Sequence, residues 1–274
     1  MTAAARAAAG AELPAGNEKI RIEHATKVYE TKTGRVHALE DFSVSIRNGE
    51  LVCVLGPSGC GKTTLLWALS GLHALSSGDI LLDGSPVTGP RPRDIGVIFQ
   101  EANLLPWRNL RQNIEFPFEI KGRKPDRERI ASLLRETGLD GFEKSFPREL
   151  SGGMQQRASI VRALAQDPDV LLMDEPFGAL DAFTRDEMNL LLLRLWSESD
   201  KTIVFVTHNI SEAIFLGDRV VVMTPRPGRL ARIFDIDLPR PRTIEMTFEP
   251  SFIALIQEIK RTVESGTGHT VELE

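Results

Sequence analysis

Five short runs of valine, isoleucine and leucine recur along the chain without alternating with polar residues. They are Leu51–Leu55, Ile95–Phe99, Val170–Met173, Thr202–Val206 and Arg219–Met223. Continuous apolar runs of this length are typical of parallel strands buried on both faces of a sheet. Helical periodicity occupies intervals between them, at Lys62–Leu72, Gly153–Gln166, Ala182–Glu198 and Ile210–Leu216. This alternation predicts an α/β core with right-handed crossovers.

Other segments follow different patterns. Residues 19–50 favour antiparallel β structure, and DILLDGSPV favours a second hairpin because Asp83-Gly84 is a strong turn signal. Residues 101–150 are rich in charge and proline and mostly helical, which indicates an inserted helical subdomain. The PRPG sequence after Met223 predicts a turn between two strands, and SFIALIQEIKRTVES predicts an amphipathic helix. We therefore expect a disordered tail at 1–18, one α/β domain at 19–237 with its helical subdomain at about 101–160, and a helical extension at 238–274.

Composition narrows the functional classes. The 274 residues carry a net charge of −5, so no basic field indicates a nucleic-acid partner. We find no apolar run near the ~18 residues of a membrane helix, and the N-terminus lacks the leucine-rich core of a signal peptide. We therefore expect the chain to stay in the cytosol. Cys53 lies in a predicted strand and Cys60 in a glycine-rich loop, so a structural disulfide is not expected.

A phosphate-binding loop is the strongest motif. The sequence GPSGCGKT, from Gly56 to Thr63, matches G-x-x-x-x-G-K-[ST] in full, follows a predicted strand and opens a predicted helix. Glycines let backbone N–H groups surround a phosphate, while Lys62 reaches the β- and γ-phosphates and the Thr63 hydroxyl binds Mg²⁺. The alternative is a chance glycine-rich turn, which the strand and helix on either side disfavour.

The sequence VLLMDEP supplies two carboxylates at the end of a predicted strand. Asp174 is expected beside the Mg²⁺ ion, and Glu175 can polarise an attacking water as a general base. Pro176 ends the strand, and the carboxyl ends of strands are where open α/β sheets bind ligands. Glu175 could instead be an acid favoured by a helix dipole, and a nucleotide kinase would also carry the loop and the aspartate.

A second glycine motif, LSGGMQQR at residues 150–157 (the LSGG stretch), separates these classes. Ser151 is a good N-cap for the helix that follows, so the stretch could be only a cap and a turn. The order of motifs along the chain favours a functional interpretation instead. The LSGG stretch comes after the phosphate loop and after Gln100 at a strand end, and it precedes Asp174 and then Thr207-His208 at another strand end.

With its motifs in this order, the chain resembles the nucleotide-binding subunits of ATP-binding-cassette (ABC) transporters over roughly residues 20–230. The resemblance implies a P-loop NTPase (RecA-like) core, an antiparallel β subdomain, and ATP and Mg²⁺ as ligands. It implies that Glu175 and His208 are catalytic and that Thr63, Gln100 and Asp174 bind the metal. The nucleotide-binding residues would be Tyr29 (stacked on adenine), Gly56, Pro57, Ser58, Gly59, Cys60, Gly61, Lys62, Thr63, Thr64, Gln100, Ser151, Gly152, Gly153 and Asp181.

The resemblance also implies a pair of copies. Ser151, Gly152 and Gly153 of one copy would bind the γ-phosphate held by the phosphate loop of the other, with Asp181 reaching toward the partner. Met154 departs from the family's usual glutamine, although the serine and both glycines are intact. Tyr29 could instead have only a packing role.

Two further segments, FQEANLLPWRNLRQNI and MTPRPGRL, resemble the nitrate, aliphatic-sulfonate and taurine importers. The resemblance implies that two membrane permease subunits and a substrate-binding protein are partners of this chain. It also implies a peripheral location on the cytoplasmic side of the inner membrane. We expect Leu104, Leu105, Trp107, Phe116 and Phe118 to form a dock for the permease, or alternatively the subdomain's own core. A thiamine-precursor importer and a cytosolic ABC-type switch without a membrane partner are the alternatives.

Overall fold

The computed structural model describes residues 17–32 and 34–266. These residues divide into two compact units, one formed by the chain up to residue 90 together with residues from 204 onward, and the other by residues 91–203. Of the tail predicted at 1–18, residues 1–16 lie outside the described residues, and Glu18 is the first residue of a strand. Within the described ranges, no helix is both long and apolar enough to cross a lipid bilayer.

In chain order the strands and helices are β1 (Glu18–Thr31), β2 (Gly34–Arg47), β3 (Leu51–Leu55), α1 (Lys62–Leu69), β4 (Ser77–Leu82), β5 (Ser85–Pro86), β6 (Ile95–Ile98), α2 (Leu110–Ile120), α3 (Arg127–Glu136), α4 (Gly152–Leu164), β7 (Val170–Asp174), α5 (Ala182–Ser197), β8 (Thr202–Thr207), α6 (Ile210–Leu216), β9 (Arg219–Met223), β10 (Leu230–Asp235) and α7 (Pro250–Gly266). All five predicted buried strands are present, and the PRPG sequence joins β9 to β10 as predicted.

The first unit contains an antiparallel sheet in the order β2-β1-β4-β5 and a run of strands in the order β10-β9-β3-β8. Strand β3 is parallel to β9, and β9 is antiparallel to β10. Every residue of β3 and β9 is buried, and burying each large aliphatic side chain contributes about 1.5–3 kcal/mol. Helix α6 packs on β3 and β9, and α7 packs on α6.

Helix α1 ends at Leu69, so the predicted end at Leu72 was wrong. The reason is Gly71, whose φ of +73° is a left-handed conformation that ends helices. A Cβ at this position would also lie 2.2 Å from the carbonyl oxygen of Gly89. The helix therefore ends where the chain turns and packs closely against another loop.

The second unit contains the parallel pair β6 and β7, with Ile95 opposite Val170, and four helices. Helix α4 packs on β6, α2, α3 and α5. Of the apolar residues predicted to form a dock, Phe118 is 6% exposed and belongs to the core, whereas Trp107 is 70% exposed. The other three, Leu104, Leu105 and Phe116, are half-buried. The alternative, a core role, is therefore correct for Phe118.

Candidate active site

The phosphate-binding loop joins β3 to α1, as predicted. Lys62 begins α1, is 5% exposed, and donates from Nζ to the carbonyl oxygens of Gly56 at 2.8 Å and Pro57 at 3.2 Å. Gly61 has a φ of +109°, and a Cβ there would lie 2.5 Å from the carbonyl oxygen of Ala38. The loop is thus packed tightly against β2. Its lysine is buried and donates hydrogen bonds to the loop's own backbone.

The β9–β10 hairpin contacts the same loop. Arg226 donates from Nε to the carbonyl oxygen of Gly59 at 3.2 Å. Gly228 exchanges backbone hydrogen bonds of 3.0 Å with β2, donating to Ala38 and accepting from Glu40. A Cβ at Gly228 would lie 2.2 Å from the carbonyl oxygen of Cys60. The hairpin itself was predicted, but this contact was not, because the single sequence holds no signal that pairs Arg226 with Gly59.

Tyr29 lies on β1 in a small aromatic cluster. Its hydroxyl is 3.0 Å from Nδ1 of His73, and the two rings meet edge to face with centroids 6.0 Å apart. The Trp67 ring of α1 also meets the His73 ring edge to face, with centroids 4.6 Å apart. Lys27 lies 5.0 Å from the centroid of Tyr29. Tyr29 is half-buried, and stacking on adenine stays a prediction for it.

His208 follows the last residue of β8 and is exposed. The turn around it is built by Thr207, whose hydroxyl donates to the buried Glu212 carboxylate at 2.5 Å and accepts from the Asn209 N–H at 3.0 Å. Asn209 in turn caps α6 by accepting from the Glu212 N–H at 3.1 Å. These polar contacts hold the backbone on the C-terminal side of His208 in one conformation.

The LSGG stretch opens α4, and Ser151 is its N-cap, as predicted. The Ser151 hydroxyl accepts from the Met154 N–H at 3.3 Å. Both glutamines that follow bind backbone carbonyls: Gln155 donates to Pro147 and Leu150, and the buried Gln156 donates to Phe99 at 3.2 Å. Gln156 therefore ties the LSGG stretch to the residue directly before Gln100.

The acidic pair lies at the end of β7. Asp174 is its last residue and is 9% exposed. Glu175 has a φ of +44°, a left-handed conformation that is rare for a residue with a side chain and costs about 1–2 kcal/mol. Backbone strain of this kind concentrates at functional sites. In the turn that follows, Gly178 lies next to Gln100, whose Nε2 would be 3.6 Å from a Cβ on that glycine.

Asp181 is the N-cap of α5. Its carboxylate accepts from the Thr184 N–H at 3.1 Å and from the Thr184 hydroxyl at 2.7 Å. The hydrogen bond from the Thr184 side chain, followed by the one from its backbone, lowers the pKa of the Asp181 carboxyl. Asp181 therefore stays ionised at neutral pH. Its role as the N-cap of α5 was not predicted from the sequence.

The site residues fall into two groups, one in each unit. The first unit holds Tyr29, Gly56, Pro57, Ser58, Gly59, Cys60, Gly61, Lys62, Thr63, Thr64 and His208, and the second holds Gln100, Ser151, Gly152, Gly153, Asp174, Glu175 and Asp181.

Cys53 and Cys60 are both buried thiols, in agreement with the expectation of no disulfide. Burial raises the pKa of the Cys53 thiol.

Comparisons with known proteins extend over most of the chain. The family model described as ABC transporter matches residues 39–178. The taurine import ATP-binding protein of Rhizobium johnstonii is 45% identical over 256 residues, 90% of this chain and 97% of that protein. The aliphatic sulfonates import ATP-binding protein of Bacillus cereus is 44% identical over 224 residues, 82% of this chain and 88% of that protein.

A solved structure gives a similar result for the fold. It is a dimeric ATP-binding cassette in a post-hydrolysis state bound to ADP and Pi, which matches with a TM-score of 0.71 at 32% identity. The match covers 80% of this chain and 100% of that one. The likeness confirms the α/β phosphate-loop fold predicted from the sequence.

Proposed function

This chain belongs to the ABC transporter family, and on that basis we propose that it is the ATP-hydrolysing subunit of an importer for a small sulfonate or a similar anion. Family membership makes the chain an ATPase. The observation that carries the proposal is the LSGG stretch at the start of α4, since a kinase with the same phosphate loop has no use for it. Relatives whose names specify import of taurine or aliphatic sulfonates support the substrate class.

In the first unit, the phosphate loop would bind the β-phosphate with its inward N–H groups. Lys62, which donates to two loop carbonyls, would exchange those partners for β- and γ-phosphate oxygens. His208 would donate to the γ-phosphate, and Tyr29 would stack on adenine.

In the second unit, Glu175 would accept a proton from the attacking water, a role that needs only hydrogen-bond reach. The LSGG stretch would bind the γ-phosphate of the partner copy with the Ser151 hydroxyl and the N–H groups of Gly152 and Gly153. These two glycines are the first residues of α4, where backbone N–H groups are available and the dipole favours an anion. Because these contacts require the γ-phosphate, ATP favours the closed pair and ADP does not.

The chain's oxygen donors fit a magnesium ion. The Asp174 carboxylate, the Thr63 hydroxyl and the Gln100 amide are the hard oxygen ligands that Mg²⁺ prefers, and their small number leaves room for waters and phosphate oxygens. Asp174 is 9% exposed at the end of β7, and the carboxyl ends of strands are where open α/β sheets bind ligands. When bound, the ion neutralises the charge that develops on the phosphates during transfer.

Two copies of this chain would work together on the cytoplasmic side of the membrane, with two permease subunits and a substrate-binding protein. In the second unit, Trp107 is 70% exposed, and the loop that carries it is held by Arg162, which donates to the carbonyls of Ala102 and Asn103 at 2.8 Å each. A large apolar side chain on a fixed loop suits a permanent protein partner, and we assign the permease contact to this loop.

The catalytic assignment is tested by Glu175→Gln, with Glu187→Gln on the exposed face of α5 as a matched control. We expect the first variant to lower turnover by at least about 100-fold, the usual size of a general-base contribution, and to accumulate as an ATP-bound pair in light scattering. The control should hydrolyse ATP like the wild type. Near-normal turnover by Glu175→Gln would contradict the general-base role.

Transport is tested in cells that lack the gene, by measuring uptake of radiolabelled taurine, aliphatic sulfonate, nitrate and thiamine precursor. Loss of taurine or sulfonate uptake, restored by the wild-type chain but not by Glu175→Gln, supports the proposal. Loss of thiamine-precursor uptake alone would overturn the substrate class. Unchanged uptake of all four, together with ATPase activity in the detergent-free fraction, would favour a switch without a membrane partner.

A further inference from the structure

The hairpin between β9 and β10 presents an arginine to the outer side of the phosphate loop. We propose that Arg226 is a positioning residue, which holds the Gly59–Cys60 peptide so that its N–H faces the bound phosphate. The inference rests on the proposed ATP binding and adds a determinant of nucleotide affinity outside the motifs. Its observation is the 3.2 Å hydrogen bond from Nε of Arg226 to the Gly59 carbonyl.

The hydrogen bond to the Gly59 carbonyl affects the Cys60 N–H because both groups belong to the same peptide. The Gly59 carbonyl and the Cys60 N–H belong to one planar peptide and point in opposite directions. A cation that binds the carbonyl therefore orients the N–H away from itself and polarises it as a donor. At present the Cys60 N–H makes a long turn bond of 3.3 Å to the Pro57 carbonyl, which a phosphate oxygen can replace.

The arginine has a fixed base. Thr224 closes the turn by donating from its hydroxyl to the Pro227 carbonyl at 3.0 Å and by accepting from the Arg229 N–H at 2.9 Å. Gly228 is bonded to β2 on both sides of Leu39 and lies too close to the Cys60 carbonyl for any side chain. Turn, loop and β2 thus form one packed arrangement, and the position of Arg226 follows from it.

The effect on kinetics follows from which phosphate the loop holds. The β-phosphate is present in ATP and ADP and remains bound through hydrolysis. A group that strengthens its binding acts equally on the ground state and the transition state, so it lowers KM and leaves kcat unchanged. A contact to the partner copy, in contrast, would affect ATP alone.

The test compares Arg226→Ala and Arg226→Lys with Arg229→Ala in the full chain. Arg229 is an ideal control because it is an exposed arginine of the same hairpin that pairs with Glu40 at 2.9 Å. Calorimetry with ATP and with ADP gives Kd, steady-state assays give KM and kcat, and thermal unfolding without nucleotide gives stability. We expect Arg226→Ala to raise both Kd values and KM about tenfold, the size of one charge-assisted hydrogen bond, with kcat unchanged.

Arg226→Lys keeps the charge but lacks Nε, and should recover only part of the affinity. Arg229→Ala should match the wild type, and nucleotide-free melting temperatures should agree between the two alanine variants. Equal affinities in both alanine variants, or a loss confined to ATP or to kcat, would overturn the inference. If Arg226→Ala does not fold, a wild-type affinity in Arg226→Lys overturns the role of Nε, and a loss there supports it. A wild-type chain that binds no ATP would instead refute the proposed function.

Discussion

Replacing Gly153 with alanine tests how the LSGG stretch is packed. Gly152 and Gly153 are neighbours at the start of α4, yet their surroundings differ. A Cβ at Gly152 would meet no atom within 4 Å, whereas a Cβ at Gly153 would lie 2.9 Å from Cγ2 of Thr184. Thr184 cannot rotate without loss, because its hydroxyl donates to Asp181 at 2.7 Å. We therefore expect opposite effects of the two substitutions on the free energy of unfolding.

The magnitude follows from the distance. Two carbon atoms prefer a separation of about 3.5–4.0 Å, so Gly153→Ala requires a shift of roughly 0.5–1 Å or a broken hydrogen bond to Asp181. Overpacking of this kind costs about 1–3 kcal/mol. Gly152→Ala meets no obstacle and should stabilise the helix by about 0.4–1 kcal/mol, because alanine restricts the unfolded chain.

The assay is a double-mutant cycle by urea unfolding. Thr184→Ser removes Cγ2 and keeps the hydroxyl that binds Asp181. It should therefore restore most of the stability lost in Gly153→Ala, and it should change the stability of a chain that keeps Gly153 only slightly. The coupling energy between the two substitutions should be on the order of 1–2 kcal/mol. ATPase rates of the same variants show whether the glycine is also needed by the partner copy.

Two results would refute this reasoning. If Gly152→Ala destabilises as much as Gly153→Ala, the contact with Thr184 is not what distinguishes the two glycines. If Thr184→Ser has the same effect with and without the alanine, the clash does not exist in solution. Either result would leave the LSGG stretch explained only by its binding to nucleotide.

Two further predictions concern ionic contacts. Glu50→Ala should lower the free energy of unfolding by about 3–5 kcal/mol in urea titrations, because it leaves Arg219, 8% exposed, without its bidentate partner. Glu40 is half-buried and pairs with the exposed Arg229, so Glu40→Ala should cost less than about 1 kcal/mol. Equal costs of the two substitutions would contradict the argument. A hydrogen bond from Lys201 lowers the pKa of Asp167 below 3.8, so its stabilisation is present above that pH and lost as the pH falls through the folded pKa. Asp167→Asn should therefore cost up to about 1 kcal/mol at pH 7 and progressively less as the pH falls below 3.8. A stability difference that does not change with pH would refute this prediction.

Local patterns carried most of the sequence-based prediction. The run Leu51–Leu55 predicted β3 because a strand buried on both faces must be apolar at every position. The N-cap at Ser151 followed from its hydroxyl and the helical periodicity after it. The predicted end of α1 at Leu72 was wrong because Gly71, a residue type that commonly ends helices, adopts a left-handed conformation.

The sequence by itself determined the elements, the order of the motifs and the family, because periodicity and motif spacing involve residues close together along the chain. Only the tertiary structure decided the left-handed backbone of Glu175, the contact of Gly153 with Thr184 and the hydrogen bond from Arg226 to Gly59. The last pair is separated by 167 positions, and side chains that far apart meet only where two packed elements place them together. Distances of a few tenths of an ångström at such meetings depend on the path of the whole chain, which a pattern of residue types does not contain.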